Sequence, residues 1–273
     1  MAMRRIRLYV LSGIALCTVG ALVFLCASKA AYLQQTNRVA VPRQQLVSTS
    51  ITATPTTGNY KDAVAKLESE RLRLASRFPH ASPTERTALI AEARSIVTRS
   101  TYDDLFSAWY GTPWDFNGTS ETPQQGKIAC GYFVSTILRD AGWKVERVRL
   151  AQQASENIIL SLTTDPFVKR FRRVPIDDFV KAVKQWGPGI YIVGLDIHVG
   201  FIVNTEGEIY FVHSSYVEPY TVIKEKAIES RILASSNYRV LGKVLADDVL
   251  ITNWLLGNPI PTRINSRNAG PSR

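Results

Sequence analysis

Apolar residues recur along this chain in three patterns, and each predicts a different element. At helical spacing stand Phe133, Val134, Ile137, Leu138 and Ala141, one buried face that Gly142 closes. The helix so predicted begins at or near Cys130. Upstream, KDAVAKLESERLRLASRF is charged and helical, with Val64, Leu67, Leu72 and Leu74 available for one face and Pro79 as its stop. Ser82-Pro83-Thr84-Glu85 has the form of a capping box with proline at the first helical position, and opens a second helix through Ile90, Ala93 and Val97 toward Trp109. The stretch VERVRLAQQASENIILSL reads as a short strand and then a helix, and IDDFVKAVKQW as a further helix ended by Gly187-Pro188-Gly189. The second pattern is β-branched and aromatic. IYIV and HVGFIV, followed by a turn at 204–207 and by EIYFVHSS, predict a hairpin, and NYRVLGKVL a further strand.

The third pattern is an unbroken apolar run of 20 residues, Leu8 to Ala27, behind Arg4, Arg5 and Arg7. That length is enough to cross a bilayer. Residues 1–31 are read as a signal peptide or a retained N-terminal membrane anchor; Ser28-Lys29-Ala30 offers a cleavage site, and the length favours the anchor. The arginines stay cytoplasmic, and the rest is expected to be exported into the cell envelope, on the periplasmic or extracellular side. Residues 32–58, rich in Gln, Thr, Ser and Pro, are expected to be a flexible linker. A helical segment over 59–108, a folded domain over 109–257 and a loose basic tail over 258–273 complete the division.

The formal net charge of +10 is partly that of the leader: outside the first 31 residues, 29 basic side chains face 23 acidic ones. No basic block interleaves with aromatic residues and no helix-turn-helix or zinc-finger spacing occurs, so no nucleic-acid partner is expected. A moderately basic exported domain suits an anionic wall polymer or a membrane surface. FVKRFRRVP, with Lys169, Arg170, Arg172 and Arg173, is read as an exposed cationic turn, with contact to an anionic substrate as the alternative.

Of three cysteines, Cys17 and Cys26 lie in the apolar run, which leaves Cys130 as the only thiol beyond it. A lone thiol in an oxidising compartment is a liability unless it is used or deeply buried. At a helix start, unpaired N–H groups and the helix dipole are expected to lower its pKa. His198 opens one predicted strand and His213 closes the next, so antiparallel pairing sets both imidazoles at one sheet edge. A thiol, an imidazole to deprotonate it and a polar group to orient that imidazole form a cysteine-nucleophile constellation. No His/Cys cluster has metal-ligand spacing, and neither a metal nor another cofactor is expected.

The motifs GTPWDFNGTS, IACGYFV, HVGFIV and FVHSS stand in this order over about residues 109–216. They resemble the core pattern of the NlpC/P60 cysteine peptidases of the papain-like superfamily. The resemblance implies an α+β fold, a papain-like core in which the nucleophile helix packs on a small antiparallel sheet, here with N-terminal helices added. It implies Cys130 as nucleophile, His198 as base and His213 as orienting residue, and a cysteine hydrolase acting on amide bonds of peptidoglycan stem peptides. Trp114 takes the place of a substrate-lining tyrosine. The family's Asp-Cys-Ser becomes Ala129-Cys130-Gly131, with Gly131 at the substrate side, and Asp196 is a further candidate to line or orient the site. These departures keep two alternatives open: a catalytically silent wall-binding or assembly module of the same fold, and a thioester-forming acyl or amide transferase.

Overall fold

The structure is a computed structural model that describes residues 58–205 and 207–264. The leader at 1–31, nearly all of the 32–58 linker and the end of the tail lie outside the described residues. Among the described residues no helix is long and apolar enough to cross a membrane.

The chain opens with α1 (Gly58–Arg77) and α2 (Pro83–Ser100), which a π turn over Thr101–Leu105 joins to the short α3 (Phe106–Trp109). Ser82 caps α2 as its sequence implies: its hydroxyl accepts from the Glu85 N–H, and the Glu85 carboxylate accepts from the Ser82 N–H at 2.8 Å. A loop over 110–129 feeds α4 (Cys130–Asp140), followed by β1 (Lys144–Val145), α5 (Arg147–Ala151) and α6 (Ser155–Leu162). Then come β2 (Val168–Arg172), α7 (Ile176–Gln185), β3 (Gly189–Leu195), β4 (Val199–Asn204), β5 (Ile209–Ser214) and β6 (Val222–Lys226). The chain closes with α8 (Arg231–Ser235), β7 (Tyr238–Gly242), α9 (Asp248–Leu256) and β8 (Pro259–Ile260). The fold class is α+β.

Six strands form one antiparallel sheet in the order β2-β7-β3-β4-β5-β6, and β1 pairs with β8 in a separate parallel ribbon. Successive residues of a strand face opposite ways, and here both faces are covered. Ile190 and Ile192 of β3, with Val199, Phe201 and Val203 of β4, meet α1–α6 and α9. Tyr191, Val193 and Leu195, with Ile202 and Phe211, meet α7 and α8. Burial on two faces explains why IYIV and HVGFIV read as continuous apolar runs instead of alternating ones.

The N-terminal helices share the larger core with the rest: Leu67, Leu74, Leu89, Ala93 and Val97 are buried in it beside Phe133. Leu72, by contrast, is 54% exposed, one turn position off the buried stripe. Tyr60 ties α1 to α4, donating to Asp140 at 2.7 Å and accepting from the Trp109 indole at 3.0 Å. Burying Phe133, Val134, Ile137 and Leu138 contributes about 2 kcal/mol each, and this fixes α4 against β4 and β5.

FVKRFRRVP is not a turn. It contains the edge strand β2, paired with β7 from Val168↔Gly242 to Arg172↔Tyr238. Its cations are held at the surface, Arg170 by Glu156 and Asp165, Lys169 over the Trp186 ring and Arg172 over Tyr238. Charged side chains of this kind protect a sheet edge from pairing with other chains.

Candidate functional site

Cys130 is the first residue of α4, with Ala129 as its N-cap. Two contacts place it. Ser214, next to His213 on β5, donates its hydroxyl to the Ile128 carbonyl at 2.7 Å, tying the chain just ahead of Cys130 to the sheet. Arg147 holds the preceding loop to the helix: it is 8% exposed, donates to Thr136 Oγ1 at 2.7 Å and reaches the Thr119 and Ser120 carbonyls at 2.9 and 2.8 Å.

Cys130 is half-buried as a residue, and its sulfur is densely surrounded. Backbone N–H groups of Val199, Gly131 and Cys130 itself are directed at it and favour the thiolate, yet burial outweighs them and pushes the thiol up from its ordinary range. This reverses the expectation from the helix start alone. At rest Cys130 is a neutral thiol, so any nucleophilic role needs a base at hand.

His198 is the candidate, and its Nδ1 makes no hydrogen bond to the sulfur. His198 stands immediately before Val199, whose N–H points at the sulfur. His198 Nε2 lies 2.9 Å from His213 Nδ1, with the rings at 87°. His213 Nε2 lies 3.2 Å from Glu225 Oε1 on β6. Both histidines are buried, and their pKa values are lowered. Burial and the neighbouring His213 hold His198 well below the imidazole range; burial lowers His213, against an upward pull from Glu225.

With both rings neutral, one proton arrangement fits. A carboxylate accepts hydrogen bonds only, so His213 carries its proton on Nε2 and donates to Glu225. His213 Nδ1 then has a lone pair and accepts from His198 Nε2–H. His198 Nδ1 is thereby left as a bare lone pair, buried and with no hydrogen-bond partner.

Comparison with known proteins finds no family model, no curated protein and no solved structure that matches this chain. The site is therefore read from its own geometry.

The glycine of HVG has a packing reason. A Cβ on Gly200 would stand 2.7 Å from the Phe211 ring and 2.8 Å from His213 Cβ, so only glycine lets these side chains cross the strand. There Phe211 stacks on the His213 ring at 3.9 Å and 10° and fixes its plane.

Trp114 joins the site through a second aromatic residue: its ring is 6.4 Å from Tyr216, whose ring is 5.1 Å from His198. Tyr220, 6.5 Å from Trp114 and 55% exposed, extends this wall outward. Gly131 offers its N–H to the sulfur, and its Cα is packed on the neighbouring helix. A Cβ there would meet the Ala151 carbonyl oxygen at 2.3 Å, so the position is a close contact between α4 and α5. Asp196 makes its hydrogen bonds away from the imidazoles. It accepts from the Asn237 N–H at 2.7 Å and its own N–H donates to Ser236 Oγ at 3.2 Å, so it fastens the β3–β4 turn to the start of β7. The imidazole at 198 is oriented by His213 instead.

Glu225 is the residue that motif reading did not find. It lies opposite Phe211 in the register and reaches His213 diagonally, a relation that VIKEK by itself does not disclose. Among the described residues no group of three or more His, Cys, Asp or Glu could hold a metal ion.

The buried neutral imidazoles fix the sign of the pH dependence of stability. In the unfolded chain both take up protons below about pH 6.5, while in the folded chain they resist. Stability is thus complete above about pH 6.5 and falls as the pH drops toward the lowered folded values. The slope has an upper limit of about 1.4 kcal/mol per pH unit for each histidine. Urea unfolding at several pH values between 7.5 and 5 is expected to show this loss, and the His198→Gln/His213→Gln double variant to flatten it. An equally steep slope in the variant would place the effect elsewhere.

Proposed function

We propose that this chain is an exported, membrane-tethered cysteine hydrolase with a papain-like NlpC/P60 core, cleaving amide bonds in cell-wall peptides. The observation that carries the reading is the orphaned, buried Nδ1 of His198. Its lone pair is fixed by His213 and Glu225, and the residue that follows it offers its N–H to the Cys130 sulfur.

In this reading His198 Nδ1 takes the thiol proton as the sulfur attacks the amide carbonyl. The resulting oxyanion is stabilised by the N–H groups of Cys130 and Gly131, first-turn donors of α4 that face the sulfur at rest and turn to the oxygen as it forms beside it. Collapse breaks the C–N bond. The leaving amine takes the proton from His198, and a thioester remains on Cys130. Water, deprotonated by His198, then attacks the thioester, releasing a carboxylic acid and restoring the thiol. The wall of Trp114, Tyr216 and Tyr220 lies where it can hold the substrate beside the imidazole.

The test is digestion of purified peptidoglycan sacculi, read by mass spectrometry of the released peptides. The wild-type chain is expected to release fragments with new amino termini and Cys130→Ala to release none; no release by the wild type, with the thiol intact, would sink the hydrolase reading. The raised pKa of Cys130 is the observation on the side of a catalytically silent wall-binding module, which would bind sacculi without release. Products joined to an added acceptor amine would identify a transferase.

A further inference from the structure

At the far end of β4 from Cys130 lies a second feature that the proposed chemistry does not use. Val199 stands beside the sulfur, while Val203 and Asn204 line a cavity of about 500 Å³. At about 3.3 Å per residue the two are separated by roughly 16 Å along the strand.

One wall of the cavity is a single stripe of α2 and the turn after it, Ala91, Arg94, Ser95, Thr98, Arg99 and Tyr102, at helical spacing. This stripe is distinct from Leu89, Ala93 and Val97, which face the core. The opposite wall is made by Pro188–Ile190 at the start of β3 and by Lys243, Leu245 and Ala246. Ile190, Val203 and Leu245 bring apolar surface.

The charges are one-sided. Arg94, Arg99 and Lys243 line the cavity and no carboxylate does. Arg94 is engaged with the Leu245 carbonyl and with Asp248. Lys243 donates to the Trp186 carbonyl at 2.6 Å, a neutral acceptor, and its charge is disfavoured by burial and by nearby Lys169. Tyr102, at the end of the stripe, accepts from Lys224 at 2.7 Å. Arg99 is exposed and has no hydrogen-bond or ion-pair partner among the described residues. Arg99 and Lys243 thus line the cavity with no carboxylate among its lining residues, a setting that favours an anion.

We propose that this cavity binds a small anion with an apolar body, a phosphomonoester or carboxylate whose charged end meets Arg99 and Lys243 while its apolar part rests on Ile190, Val203 and Leu245. A soluble metabolite and a lipid headgroup share this chemistry. The cavity is independent of Cys130.

The test uses the full chain in detergent, titrated calorimetrically with phenyl phosphate and with inorganic phosphate at low salt. Phenyl phosphate is expected to saturate one site more tightly than inorganic phosphate. Arg99→Glu, an exposed position whose change leaves the fold intact, is expected to weaken it about tenfold or more, and Cys130→Ala to leave it unchanged. Flotation with phosphatidylcholine vesicles, with and without phosphatidic acid, whose headgroup is a phosphomonoester, separates the two sources: vesicle binding that needs phosphatidic acid and Arg99 identifies the lipid, and phenyl phosphate binding without it the soluble ligand. Equal affinity for the two phosphates, or binding that Arg99→Glu leaves untouched in both assays, overturns the proposal. Loss of sacculus digestion with this binding intact would remove the hydrolase reading alone.

Discussion

His198→Ala is expected to lower kcat/KM for the amide substrate about ten-thousand-fold, close to the loss for Cys130→Ala. Members of a nucleophile–base unit fail together, because a neutral thiol without a base and a base without a thiol are equally idle. The thiol is held up by burial, so the chain does not start from a ready thiolate, and in the proposed mechanism the unpartnered His198 Nδ1 takes the proton. His213→Ala removes the acceptor that fixes the His198 tautomer, so a smaller but large loss of about a hundred- to a thousand-fold is expected. Glu225→Gln keeps an oxygen that can accept from His213 Nε2 and removes only the negative charge that balances the protonated pair, so about tenfold is expected. The pH profile separates this role from a structural one. Glu225 pulls the His213 pKa upward, so removing its charge lowers the pair's pKa and moves the acid limb of kcat/KM to lower pH. An acid limb that stays in place in Glu225→Gln would show that the carboxylate does not act through the histidines, and full activity in His198→Ala would end the proposed mechanism.

The second large effect concerns Gly131, where the resemblance suggests serine. Gly131→Ser is expected to destabilise the fold by about 2–4 kcal/mol and not to improve catalysis. Replacing glycine inside a helix ordinarily stabilises by up to about 1 kcal/mol. Here the added Cβ would stand 2.3 Å from the Ala151 carbonyl oxygen, which is backbone and cannot swing aside. Either α5 retreats from α4 or the first turn of α4 tilts, and the tilt would carry Cys130 away from Val199. Arg147 opens α5 and clamps the 110–129 loop, so movement of α5 also loosens the approach to the sulfur. Urea denaturation of Gly131→Ala and Gly131→Ser measures the cost. A stability equal to or above wild type in both would mean that the contact relaxes cheaply.

Much of the scaffold is written in local patterns. The face Phe133, Val134, Ile137, Leu138 and Ala141 gave α4 its length and its buried side, and Ser82 to Glu85 gave the start of α2, because periodicity and capping depend on neighbours three and four residues away. The hairpin was equally legible. Its strand order set His198 and His213 at one edge, and the two rings meet there at 2.9 Å. FVKRFRRVP was harder, since an edge strand carrying three cations has the composition of a turn and becomes a strand only by pairing with β7, some seventy residues on.

What the sequence alone could not decide is what arrives from a distance. Glu225 lies on a five-residue strand of mixed polarity, and only the β5–β6 register brings its carboxylate to His213. Asp196 sits two residues from His198 and still serves Ser236 and Asn237, because the turn between β3 and β4 directs it there. The direction of the Cys130 pKa is the clearest case: its helix-start position favours the thiolate, but desolvation by everything packed around it is larger and has the opposite sign. The cationic cavity likewise draws on α2, β3, β4 and residues 243–246. Local spacing determined which faces of this chain are apolar and where the helix of Cys130 begins; register and burial, which sum contributions from the whole fold, decided which charges, protons and lone pairs meet.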